Sequence, residues 1–280
     1  MRTLLCILAL LFAMASSATA KPYAIPDTQI LHLHSKQTGS DYDLYIATPP
    51  DARTSGKAYP VVYMLDADYS FALVRNIVRH FADRGDLPEL ILVAIAYPGA
   101  ASNRDIYRRN RTRDYTPVYA PDGGYGAEFQ RLSGGGPKFR GFLAKELFPF
   151  IERKLPAAKG DRAIIGHSYG GLFAAYVLLT EPQLFNRYII VSPSLWYASH
   201  TAMTMTDRAA KSGLRPQARV FLAVGAAENQ PQADRSMVDD LKEFAGKLKR
   251  LPGLHAHLHR EEAFDFLARE QSRLHRNSSD

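Results

Sequence analysis

RAIIGHSYGG, residues 162–171, decides how the rest of the chain is read. Ala163, Ile164 and Ile165 have strand character, and residues 172–179 (LFAAYVLL) form an apolar run suited to a helix. Between them stands Gly-x-Ser-x-Gly. That spacing makes a sharp strand-to-helix turn, because Gly166 and Gly170 have no Cβ to collide as the chain doubles back, and the serine hydroxyl projects above the sheet. A helix that starts at such a turn presents amides without intrahelical acceptors and a positive dipole end. Ser168 is therefore a candidate nucleophile, and the Tyr169 N–H is the first candidate donor to an oxyanion beside it. The competing reading is a serine held between glycines for packing alone.

The first twenty residues read as an export signal. Arg2 supplies the positive start, residues 4–14 an apolar core, and Ala18-Thr19-Ala20 the cleavage site, so the mature chain is expected to begin at Lys21, periplasmic or secreted. No later run approaches the roughly 18 apolar residues of a membrane span, so no stable membrane insertion is expected. Cys6 is the sole cysteine and lies inside the signal, which leaves stability to packing rather than disulfides. Removing 20 residues from 280 leaves a length expected to fold as one large domain, 21–280. The formal charge of +7 falls to +6 without Arg2. Its lysines and arginines are dispersed and carry no nucleic-acid motif, so no nucleic-acid partner is expected. One dense cluster, Arg104, Arg108, Arg109, Arg111 and Arg113, suits a small anionic molecule better than a polymer.

Strand and helix patterns alternate along the chain. Residues 28–34 and 42–48 alternate apolar and polar side chains, as an antiparallel pair with one solvated face would, whereas 61–65 and 90–96 are continuous apolar runs of the kind buried on both faces of a parallel sheet. Further strands are predicted at 188–191, 220–224 and 254–259, and helices at 70–84, 139–154 and 233–250. A Gly, Pro and Arg-rich stretch near 98–137 reads as an inserted loop. The order predicts an α/β fold, a mostly parallel central sheet with antiparallel N-terminal strands and helices on both faces. Sites in such sheets lie outside the carboxyl ends of the strands, which puts Asp66, Ala67, Asp68, the arginine cluster, Ser168, residues 192–196, Glu228 and His259 on one rim.

Four segments, RTRDYTP, SGGGPKFRGFLAKELFPFIERKLPA, AIIGHSYGGLFAAYVLL and YIIVSPSLWY, together resemble the esterase branch of the α/β-hydrolases, with the strongest likeness to periplasmic enterochelin (enterobactin) esterases. The resemblance runs from about residue 42 to 250. It implies the α/β-hydrolase fold and a serine hydrolase that cuts an ester through an acyl-enzyme, with the backbone of a catecholate siderophore as one candidate substrate. Such chemistry requires no metal or organic cofactor, although a ferric ion could arrive inside the substrate. Arg104, Arg111 and Arg113 would suit an anionic siderophore through charge-assisted hydrogen bonds, against the alternative of internal pairing such as Arg113 with Asp105 or Asp114. Trp196, the only tryptophan, is either an aromatic wall for substrate or a packed loop anchor.

A serine hydroxyl needs a base, and this fold orders its residues Ser, acid, His. Glu228, directly after the strand ARVFLAVGA, is the candidate acid. The family's histidine loop is absent from the C-terminal stretch HAHLHREEAFDFLAREQSRLHR, so His259 stands as the first candidate base, followed by His257, with His255 and His275 more remote. Histidines 255, 257 and 259 alternate and share one strand face; no nearby carboxylate pattern points them to a metal, and no metal site is expected. His167, the x of the serine turn, is expected to point back into the scaffold as a structural residue. The second oxyanion donor is expected from the loop LDADYS, as the N–H of Ala67 or Asp68, with the Asp66 and Asp68 side chains bracing that loop. Two alternatives stay open: an esterase or thioesterase of another small acyl substrate, and a hydrolase-fold binding protein that has lost its base.

Overall fold

The computed structural model describes residues 20, 22–230 and 235–261, with the side chains of 230, 235 and 259–261 excepted. The expected signal segment, its junction at Lys21, and His275 lie outside the described residues, as do positions 233 and 234 of the predicted third helix.

Eight strands form one sheet in the order β1-β2-β4-β3-β5-β6-β7-β10. The N-terminal strands β1 (Thr28–Ser35) and β2 (Ser40–Ala47) pair antiparallel, and β2 pairs antiparallel with β4 (Ile91–Ala96). From β4 onward every pairing is parallel, through β3 (Tyr59–Met64), β5 (Ala157–His167), β6 (Arg187–Val191), β7 (Ala218–Gly225) and β10 (Leu254–Glu261). A separate two-stranded ribbon, β8 (Asn229–Gln230) with β9 (Arg235–Ser236), precedes the last helix. All six residues of β4 are buried, the outcome its unbroken apolar run predicts for a strand covered on both faces.

Helices lie on both faces, unevenly. On one face α1 (Ala67–Asp83) sets Ala67 and Phe71 against Met64, Leu92, Ala94 and Ala96. Its neighbouring stripe, Leu73, Ile77 and Phe81, is exposed. The larger core lies on the other face, under α4 (Gly136–Phe142), α5 (Phe148–Lys154), α6 (Tyr169–Thr180), α7 (Tyr197–Lys211) and α8 (Met237–Leu248). Central in that core is α6, with Leu172, Phe173, Ala174 and Ala175 all fully buried. The predicted helix 139–154 is real but contains a widened π turn at Leu143–Leu147. Pro149 follows this turn and has no N–H for the Lys145 carbonyl, so the bonding register shifts there.

Two features differ from expectation. The stretch near 98–137 is not an irregular loop: it holds α2 (Arg104–Tyr115), whose Asn103 side chain caps the Asp105 and Ile106 amides at 2.9 and 3.4 Å, and the short α3 (Ala127–Gln130). Its five arginines hid an inward face made by Arg111, Thr112, Asp114 and Tyr115. The other is α7, which the composition of 197–211 did not announce. Its first turn, Ala198 to His200, runs left-handed at φ of 49°, 52° and 58°, with the His200 ring held 3.1 Å from the Asp240 carboxylate.

Candidate active site

The serine turn is built as its spacing requires. Ser168 has φ 56° and ψ −116°, a strained conformation for a residue with a side chain, held because its N–H donates to the Val191 carbonyl (3.1 Å) and its own carbonyl accepts from Leu172 and Ser194 (2.9 and 3.0 Å). A Cβ on Gly166 would stand 2.2 Å from the Gly170 carbonyl oxygen, and one on Gly171 would stand 3.0 Å from Pro193. The backbones are in contact, and only glycine fits between them.

Two helices begin beside Ser168. Tyr169 is the first residue of α6 and Ala67 the first of α1, so both amides lack intrahelical acceptors. The two ends are adjacent: Leu65 N–H donates to the Ile165 carbonyl at 3.0 Å, and a Cβ on Gly170 would lie 3.3 Å from an Asp66 carboxylate oxygen. Asp66 itself is left-handed (φ 58°, ψ 47°), which turns the chain from β3 into α1.

The Ser168 hydroxyl lies 3.2 Å from the Ser194 hydroxyl, its single hydrogen-bond partner among the described residues. Glu228 is engaged where an acid residue was expected: one carboxylate oxygen accepts from Ser192 Oγ at 2.8 Å and from the Gly225 N–H at 2.9 Å. Ser192 owes this position to a left-handed φ of 41°, and its N–H donates to the Ala223 carbonyl. The His259 backbone pairs opposite Ala223 on the edge strand, while its side chain lies outside the described residues. His257 and His255 are exposed, and the His257 ring stacks on Phe221 with centroids 6.0 Å apart.

His167 departs from the inward packing expected of it. The residue is exposed on the rim. Desolvation by the surrounding wall nevertheless lowers its pKa, a trend that the nearby Asp66 and Glu228 carboxylates oppose and Arg111 reinforces. Asp68 is raised to about 6, first by burial and then by the charge of Asp66. The backbone N–H groups of Asp68 itself and of Tyr97 oppose that shift.

Arginine positions differ most from the sequence reading. Arg111, expected at the substrate, is 2 % exposed and forms a two-pronged pair with Asp66, Nε to Oδ1 at 2.8 Å and a terminal nitrogen to Oδ2 at 3.0 Å. Arg113 grips Asp114 in the same way, at 2.7 and 2.8 Å, which is the internal pairing weighed as its alternative. Arg104, at the start of α2, is exposed. Helix periodicity accounts for the difference, since α2 turns Arg111 and Asp114 inward while Arg104 and Arg109 face solvent.

Aromatic residues complete the rim. Trp196 is half-buried beside Tyr169, ring centroids 6.1 Å apart, and Tyr125 meets Tyr169 edge-on at 5.5 Å. The Tyr169 hydroxyl accepts from the Gly124 N–H at 2.8 Å, which ties the segment between β4 and β5 to the serine helix. Residues 192–196 were expected on this rim, but the partners of Ser192 and Ser194 were not, and Tyr125 was not singled out from the sequence. Their contacts depend on how the strand ends and this segment meet, a relation no local spacing encodes.

Comparison with known proteins agrees with this geometry. The chain is 29% identical over 237 residues to the ferri-bacillibactin esterase BesA of Bacillus subtilis (strain 168), covering 83% of this chain and 81% of that protein. It is 31% identical over 199 residues to a siderophore enterobactin esterase of Emericella nidulans, covering 67% and 64%. Among solved structures, an IroE-like serine hydrolase from Shewanella oneidensis superposes with a TM-score of 0.72 at 30% identity, covering 84% of this chain and 73% of that one. The BES protein from Bacillus cereus superposes at 0.73 with 24% identity over 88% and 90%, a likeness of fold. The model of the family described as "Putative esterase" matches residues 35–265, and the chain belongs to that esterase family, with the α/β-hydrolase fold.

Proposed function

We propose that this protein is a serine carboxylic-ester hydrolase that works through an acyl-enzyme, with an ester-linked siderophore as its substrate. The observation that carries the reading is Ser168 in its strained turn, at φ 56° and ψ −116°, with the N-termini of α6 and α1 on either side. Ser168 Oγ attacks the ester carbonyl. The Tyr169 N–H and an N–H of Ala67 or Asp68 receive the oxyanion, already oriented before charge develops. His259 takes the serine proton and returns it to the leaving alcohol, and Glu228, steadied by Ser192 and Gly225, stabilises the imidazolium. Water then releases the acyl group by the same route in reverse.

The siderophore assignment is supported by the named activities of the relatives and by the aromatic rim of Trp196, Tyr125 and the exposed Tyr69, which follows Ala67 and Asp68 on α1. Arg104, at the start of α2, is the most exposed of the three arginines and is the one assigned here to an anionic ligand. A fluorophosphonate probe tests the nucleophile without requiring the right substrate. Covalent labelling of the wild type that disappears in Ser168→Ala supports the mechanism, and His259→Ala should then lose it too. Well-folded wild type that takes up no probe would favour a binding protein with the same pocket.

A further inference from the structure

The buried cation under the site, Arg111, touches several parts of it at once. Besides its two bonds to Asp66, Arg111 donates from one terminal nitrogen to the Tyr125 hydroxyl and from the other to the His167 carbonyl, at 3.4 Å for the latter. Its guanidinium lies among four tyrosine rings, 5.1 Å from Tyr107, 5.7 Å from Tyr115, 5.7 Å from Tyr125 and 5.5 Å from Tyr169. These partners belong to three separate parts of the chain. Asp66 turns β3 into α1 and so sets the Ala67 amide; His167 immediately precedes the serine; Tyr125 belongs to the segment joining β4 to β5.

We propose that Arg111 is a positioning residue, holding the oxyanion-donor loop 65–68 at a set distance from the serine turn 166–169 without touching the substrate. The inference rests on the serine-hydrolase reading for its effect on rate, but the mechanical coupling of the two loops is independent of it. Burying an ion pair costs desolvation that an apolar pair would avoid, so mere packing is a poor reason for a charge here. What a guanidinium supplies and an apolar side chain cannot is a rigid fork of donors pointing in several directions at once. One prong pair fixes Asp66, and the remaining N–H groups reach the carbonyl before Ser168 and the phenol of Tyr125. The strained backbones at Asp66 and Ser168 are thus braced by one planar group. The α2 face that carries Arg111 inward therefore serves the two helix N-termini rather than the substrate.

Arg111→Lys tests this, because lysine keeps the charge opposite Asp66 but cannot make both parallel bonds and also reach the His167 carbonyl. Two readouts are taken on the folded full chain: hydrogen exchange of the amides at 65–70 and 166–171, and kcat and KM for p-nitrophenyl acetate. The expected result is exchange accelerated at both segments together, while β4 and β6 keep their protection. With it, kcat should fall about 10- to 100-fold with KM changed less than about twofold, the pattern of misaligned rather than weakened binding. Unchanged exchange at either segment overturns the proposal, and so does a raised KM with kcat intact, which would return Arg111 to the substrate. Should the lysine variant not fold, Asp66→Asn preserves shape and one acceptor and is read by the same two measurements. A wild type with no Ser168-dependent turnover would sink the nucleophile reading, and the exchange data alone would then decide the coupling.

Discussion

At Gly166 the addition of one carbon decides the site. Its Cβ would stand 2.2 Å from the Gly170 carbonyl oxygen, so Gly166→Ala must push the strand end away from the helix start. We expect a loss of about 2–4 kcal/mol in a denaturant titration, together with loss of probe labelling at Ser168. Gly246 is the converse case. It lies within α8 with nothing near its missing Cβ, so Gly246→Ala should raise stability by about 0.5–1 kcal/mol and leave labelling unchanged. Glu228 makes a sharper distinction between chemistry and scaffold. Ser192→Ala removes one donor to its carboxylate and Glu228→Gln removes its charge. If Glu228 serves an imidazolium, the glutamine variant should lower kcat at least tenfold, whereas Ser192→Ala, which leaves the Gly225 donor in place, should cost several-fold less.

The start of α1 carries a pH dependence of its own. Asp68 in the folded chain titrates near about 6, raised by burial and by Asp66, against an ordinary carboxylate value of 3.8. A carboxyl with a raised pKa binds its proton more tightly folded than unfolded, so its protonated form favours folding and the contribution is lost as pH climbs from about 4 through about 6. Asp68→Asn, neutral at all pH, should therefore raise the melting temperature at pH 8 and have little effect at pH 4, a comparison two thermal scans settle. The helices also show why parts of the fold were readable and others not. Continuous apolar runs at 61–65 and 90–96 and the glycine-flanked serine mark themselves, because strand burial and the turn are local requirements. By contrast α2 carries five arginines within 104–113 and looks like a solvated charge run; its buried stripe emerges only when Asp66 is there to neutralise Arg111.

On the scale of the whole molecule, the sheet order places the serine turn of β5 centrally, between β3 and β6, with its helix α6 buried along almost its full length. Phe173 in that helix packs against Phe139 at 5.0 Å and Tyr115 at 6.1 Å. Phe173→Ala should cost about 3–5 kcal/mol, seen as a melting temperature lower by on the order of 10 °C. What the sequence by itself determined is the set of local commitments: alternating strands and helices, the antiparallel start, the glycine-flanked serine and Glu228 after its strand. Each follows from periodicity or from the absence of a Cβ, and neither needs knowledge of distant residues. Only the tertiary structure decided that Arg111 lies beneath the rim instead of facing the substrate, that Ser192 meets Glu228 and Ser194 meets Ser168, and that Tyr125 joins the site. A charge chooses between solvent and interior by whether an opposite charge and enough donors and acceptors await it there, and those partners come from segments 45 and 14 residues away in the chain.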